Sequence, residues 1–200
     1  MLATNPDEVI IATGGLPHAP VLRAGDDLVC SAWDILSGDV KPGAHVLVHD
    51  DAGDHAALQA AALIAATGAR VEIVTPDRTF APEVVAMNLV PCMRSLQRLD
   101  TTFTVTWRLL AVGREGNRLR ATLGRDHGDM TRDRIVDQVV VNHGTRPLDG
   151  LYFDLRPLSS NGGRGRLRGG RFRPFRIGDA VAARNTHAAI CDALRLARDI

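Results

Sequence analysis

The chain has 200 residues, enough for one large domain or two small ones, and with 45% hydrophobic residues it can bury a proper core. Lys and Arg number 24 against 23 Asp and Glu, a net charge of +1, so no global field argues for nucleic acid or a membrane surface. No apolar run approaches the roughly 20 residues that span a bilayer, the opening MLATNPDEVI lacks the basic-then-apolar pattern of a signal peptide, and Cys30, Cys92 and Cys191 form no CxxC. The expectation is a cytoplasmic protein without a disulfide framework or a thiolate metal site.

Short branched-apolar runs alternate with alanine-rich helical patterns, which predicts a mostly parallel sheet with helices on its faces. A buried strand spans Val9 to Ala12 and ends at Thr13-Gly14-Gly15. A loop with Pro17 and Pro20 follows, then a short helix over Ser31 to Leu36 with Ser31 placed to cap it. After Pro42-Gly43 a strand enters at His45. In the next helix Leu58, Ala61, Ala62 and Ala65 fall at i, i+3, i+4 and i+7, a face of small side chains that lets the axis lie close to a sheet. Thr67-Gly68 stops it, and Val71 to Val74 is the next strand.

Three strand-like stretches then follow, near Thr102 to Val112, Arg118 to Leu123 and Ile135 to Asn142. Turns at Glu115-Gly116-Asn117 and Asp126-His127-Gly128 separate them, predicting an antiparallel meander whose last stretch, with Val139-Val140-Val141, is a central strand. Between Ser159 and Arg176 lie five glycines and six arginines without an acid, the composition of a flexible basic segment. A short strand, an Ile-Gly-Asp turn and a closing helix end the chain, the helix carrying an apolar face of Ile190, Ala193, Leu194 and Ala197.

Three segments, DEVIIATGGLPHAP, VVVNHGTRPLDGLY and RIGDAVAARNTHAAICDALRLARDI, occur here in an order found in flavoprotein disulfide-reductase-like proteins. Their wording resembles the C-terminal region of the NADH:flavin oxidoreductases related to trimethylamine dehydrogenase, 2,4-dienoyl-CoA reductase and N-methylproline demethylase. The resemblance implies an α/β fold in which a Rossmann-like, mostly parallel sheet with a three-stranded meander is inserted in an incomplete flavin-type nucleotide-binding domain. The partial FAD-type, ADP-binding domain would comprise residues 1–40 and 171–200, the NAD(P)-binding-like domain 41–150, and a Gly/Arg-rich linker 151–170. A flavin-bearing barrel and an iron–sulfur cluster precede these domains in that family.

Glycines at a strand end let backbone approach a nucleotide closely, and a turn before a helix offers amides and a dipole that favour an anion. The resemblance implies cofactor contacts at Thr13, Gly14, Gly15, Gly144, Gly178, Asp179, Thr186 and His187. Asp179 would accept a hydrogen bond from the ribityl or ribose part of FAD or ADP, with the amides of Thr186 to Ala188 close to it; Asn185 or Thr186 capping the helix is the plainer reading. The G-x-G-x-x-G strand and helix that such a flavin domain needs are not in this sequence.

The stretch from Val46 to Pro76 has the outline of a second dinucleotide motif, but its turn holds Asp50, Asp51 and Asp54 with only Gly53. Carboxylates there repel a pyrophosphate, so NAD(P) is not expected at it. His45, His49 and His55 match no metal-ligand spacing, no nucleophile elbow occurs, and no catalytic residue is assigned. Two functions follow: the nucleotide-binding portion of a flavin-dependent oxidoreductase lacking its barrel, or a non-catalytic Rossmann-like binding module. The first implies a barrel-containing partner chain or self-association over an uncovered apolar edge.

Overall fold

The computed structural model describes residues 4–18, 21–161 and 172–200. In chain order it runs β1 (Glu8–Ile11), β2 (Gly15–Pro17), β3 (Cys30–Ser31), α1 (Ala32–Ser37), β4 (His45–Asp50), α2 (His55–Ala66), β5 (Arg70–Thr75), α3 (Ala86–Leu96), β6 (Thr101–Val105), β7 (Arg108–Glu115), β8 (Arg118–Arg125), β9 (Gly128–Val136), β10 (Gln138–Asn142), β11 (Thr145–Pro147), α4 (Gly150–Leu155), β12 (Arg173–Arg176) and α5 (Thr186–Asp199). The chain divides into two compact units, one of residues 17–144 and a smaller one of residues 1–16 with 145–200.

The larger unit is built on a five-stranded parallel sheet in the order β3-β10-β4-β5-β6. One face buries Val46, Val48, Val71, Ile73 and Val140 against Ile35 of α1 and Ala57, Ala61 and Ile64 of α2. Leu58, Ala61 and Ala65 of the predicted small-residue face are buried while Ala62 is half-buried, Ala57 and Ala60 are buried beside them, and each large side chain such as Ile64 contributes about 2–3 kcal/mol by leaving water. The opposite face buries Leu47, Val74, Val139 and Val141 against Trp107, Leu109, Val112, Leu123 and Val136. Leu109, Val112, Leu123 and Val136 lie on the strands of the antiparallel sheet β7-β8-β9, and Trp107 directly precedes β7.

Local signals set the helix ends. Ser31 and Asp34 form a reciprocal capping box at α1, Asp54 accepts from Ala56 N at the start of α2, and Gly68 at φ 87° follows the Thr67 cap. Two expected stretches divide differently. Thr102 to Val112 breaks at Thr106, whose φ of 62° turns the chain from β6, the edge of the parallel sheet, into β7. Ile135 to Asn142 breaks at Asp137, whose N–H donates to the carbonyl of His45, so β9 ends the meander and β10 starts in the parallel sheet. Residues 17–40 lie in the larger unit, because Cys30 and Ser31 pair with Val140 and Val141.

The smaller unit pairs β1 with β12 in parallel, Val9 opposite Pro174 and Ile11 opposite Arg176. Its core is Val9, Ile11, Leu155, Phe172 and Ala180, with Tyr152 against them. Residues 151–158, expected to be linker, instead continue α4 and form a 3-10 turn, with Leu155 packed into this core. Of the Gly/Arg-rich segment, residues 162–171 lie outside the described residues, as does Pro20. Helix α5 buries none of its residues, and Ile190 and Leu194 on its apolar face are each 54% exposed. Among the described residues no helix is long and apolar enough to cross a membrane.

Candidate functional site

In the smaller unit, the backbone beyond β1, the 3-10 turn Gly178–Ala180 beyond β12, and the first turn of α5 enclose a cleft of about 350 Å³. Ala12 and Gly14 form one wall, Ile177, Gly178 and Asp179 the second, and Arg184, Asn185, Thr186 and Ala189 the third. Gly178 has φ 60°, which favours glycine, and a Cβ there would stand 3.3 Å from the Cβ of Ala189, so the helix is seated closely against the turn.

Polar contacts fix the cleft. Asn185 caps α5 by accepting from Ala188 N at 2.9 Å. Asp192, on the second turn of the helix, accepts from Gly178 N at 3.3 Å and pairs with the Arg184 guanidinium. The Arg184 N–H donates to Asp179 at 3.3 Å, and Asp179 is half-buried. The first amides of a helix have no intrahelical acceptor, so this end of a fourteen-residue helix presents donors and a positive dipole end to the cleft.

Of the residues singled out in the sequence, Gly14, Gly178, Asp179 and Thr186 line this cleft. Thr13 does not; its hydroxyl donates to the carbonyl of Leu148. Gly15 packs on the neighbouring strand, where a Cβ would lie 2.4 Å from Thr145 Cγ2 and 2.8 Å from the Arg146 carbonyl oxygen. His187 lies beside Cys191, 3.8 Å from Nδ1 to Sγ, and Gly144 is in the larger unit with φ 79°. Ile177, Arg184 and Ala189 were not anticipated. Their only sequence signal is position, flanking the Gly-Asp turn and the helix cap.

The turn after β4 in the larger unit is a second, different arrangement. Asp50 is buried, and its Oδ1 accepts from Gly53 N at 2.9 Å, Ala52 N at 3.3 Å and Asn142 Nδ2 at 3.1 Å. Burial pushes its carboxyl up to about 6. Asp51 bonds Arg108 at 2.6 Å and His143 at 3.3 Å, and the His143 bond leads the effects that hold its carboxyl down at about 2. Arg108 also pairs with Asp126 at 3.0 Å. His49 is fully buried beside His143, neither of its ring nitrogens has a hydrogen-bond partner among the described residues, and burial drives it down to about 3. The carboxylates are therefore committed to groups of the chain itself.

No protein-family model matches the chain. It is 64% identical over 212 residues to a Rhizobium meliloti protein named "Probable N-methylproline demethylase", a match covering 99% of this chain and 31% of that one. It is 38% identical over 220 residues to the N,N-dimethylglycine/sarcosine dehydrogenase of Chromohalobacter salexigens, covering 98% and 32%. The chain is a homologue of part of these proteins. It spans less than a third of their length. The solved structure of 6-hydroxypseudooxynicotine amine oxidase from Pseudomonas geniculata N1 matches it with TM-score 0.80 at 25% identity, over 96% of this chain and 29% of that one.

Proposed function

We propose that this chain is the nucleotide-holding portion of a flavin-dependent oxidoreductase, with FAD or its ADP part as the ligand of the smaller unit. The supporting observation is the cleft that gathers Gly14, Gly178, Asp179 and Thr186 around the start of α5. Its donor set suits such a group. The Asp179 carboxylate accepts hydrogen bonds from a ribityl or ribose hydroxyl, and the amides of the first helical turn accommodate a phosphate. The tight seat of Gly178 on Ala189 brings turn and helix close enough to act on one ligand. A bound flavin supplies hydride-accepting chemistry. The residues here bind and orient it, and none is assigned a proton or a nucleophilic step.

The chain spans less than a third of the length of the relatives it matches, so the reading places substrate chemistry in another region or a partner chain. The exposed Ile190 and Leu194 support the same view, since an amphipathic helix with its apolar face in water calls for a covering surface. The larger unit serves as a scaffold in this reading. A non-catalytic binding module is the second reading, favoured by the self-satisfied turn at Asp50. Thermal-shift titration with ADP, FAD, NADH and NADPH tests both: ADP and FAD raise Tm, the nicotinamide cofactors do not, and no shift with any of the four would reject nucleotide binding.

A further inference from the structure

The turn between β4 and α2 has the form of a phosphate cradle: a strand end, a glycine with φ 69°, and the start of a twelve-residue helix. The anion in it belongs to the chain. Three donors, Gly53 N, Ala52 N and Asn142 Nδ2, converge on one oxygen of Asp50, which is only 2% exposed. Asn142 also donates to Asp54 at 2.8 Å, and Asp54 caps the helix, so the same amide ties both ends of the turn. A neighbouring loop covers the turn from outside. The Pro82 ring approaches Gly53 so closely that a Cβ would stand 2.6 Å from its Cδ, and Glu83 N donates to the Gly53 carbonyl at 3.0 Å.

We infer that Asp50 is an internal ligand: its carboxylate fills the anion position that this strand–turn–helix loop would offer a phosphoryl group, and so keeps the larger unit closed to dinucleotides. This concerns the larger unit alone and does not depend on nucleotide binding in the smaller one. The charge is what a phosphate would supply, and the distances are those of direct hydrogen bonds. Removing the side chain while keeping the turn leaves the three donors facing a space the size of acetate.

The test is chemical rescue in the Asp50→Gly variant of the full chain at pH 8. Its Tm should fall about 5–10 °C below that of the wild type. Replacing sodium chloride with sodium acetate or formate at equal ionic strength should recover about half of that loss, while wild type and Asp50→Asn, which keeps an acceptor in place, show no acetate-specific rise. Equal Tm values for Asp50→Gly in acetate and chloride overturn the inference. If that variant does not fold in chloride, refolding yield becomes the readout, and equal yields in the two salts overturn it as well.

Discussion

The Asn142 amide nitrogen donates to Asp50 at 3.1 Å and to Asp54 at 2.8 Å, bridging the end of β4 to the cap of α2. Asn142 lies at the end of β10, opposite Asp50 in the parallel pairing, so sheet register delivers the amide to the turn. Asn142→Ala strips a donor from two carboxylates at once, one of them buried, and should cost about 2–3 kcal/mol in urea unfolding at pH 7. Asn142→Asp should cost more, because it adds a third carboxyl, and that extra loss should shrink on acidification. A loss below about 0.5 kcal/mol for Asn142→Ala would show that the bridge carries no weight.

His49 and Asp50 are adjacent on β4 and push acid stability in opposite directions. His49 titrates at about 3 when folded against 6.5 ordinarily, so below pH 6.5 the unfolded chain takes a proton that the folded chain refuses. Stability then falls at about 1.4 kcal/mol per pH unit, about 2 kcal/mol by pH 5. Asp50 titrates at about 6 when folded against 3.8, so its contribution is full below pH 3.8 and is lost as pH rises through 6. It returns about 1 kcal/mol between pH 6 and 5. His45, lowered by burial and then by Arg70, acts in the same sense as His49. Relative to wild type, His49→Leu should flatten or invert the loss from pH 7 to pH 5, and Asp50→Asn should steepen it; parallel pH profiles for all three proteins would contradict both assignments.

Elements with local signals were legible in the sequence, and those set by tertiary contacts were not. Ser31 and Thr67-Gly68 mark helix ends through bonds within a few residues, whereas Asp54 reads in the sequence only as one of three acids and is shown as the cap of α2 by the structure. Helix α3 carries Pro91 in its interior, which removes a backbone donor, and buries only Leu96, so periodicity does not announce it. The first six residues of β9, Gly128 to Asp133, are all exposed and show no apolar alternation, and read as loop until β8 is placed beside them. The breaks at Thr106 and Asp137 rest on bonds to Asp77 and His45, remote in sequence. In the cleft the glycines and Asp179 carried a motif, while Arg184 is brought in by its pairing with Asp192.

Two glycines flanking α2 separate backbone strain from crowding. Gly53 and Gly68 have φ 69° and 87°, so alanine at either is strained. A Cβ at Gly68 meets nothing within 4 Å, whereas at Gly53 it meets the Pro82 ring at 2.6 Å. Gly68→Ala should therefore cost about 1 kcal/mol, and Gly53→Ala about 3 kcal/mol or more, since the covering loop must move. Equal losses in urea unfolding would mean that Pro82 yields freely and the turn is not held from outside.

Asp179 and Gly178 are neighbours whose substitutions should fail in different ways. Among the described residues Asp179 makes one long internal bond, to Arg184 N at 3.3 Å, so Asp179→Ala should change stability by less than about 1 kcal/mol. If its carboxylate holds a ribose or ribityl hydroxyl, ADP or FAD affinity should fall about 10- to 100-fold, with Asp179→Asn intermediate because it keeps an acceptor. Gly178→Ala puts a side chain at φ 60° and 3.3 Å from Ala189, displacing α5 from the turn, so stability and affinity should fall together. Isothermal titration with ADP beside urea unfolding separates the two. Unchanged affinity in Asp179→Ala would remove that residue from the site, while a Gly178→Ala protein with full stability would show that the close seat of the helix is not required.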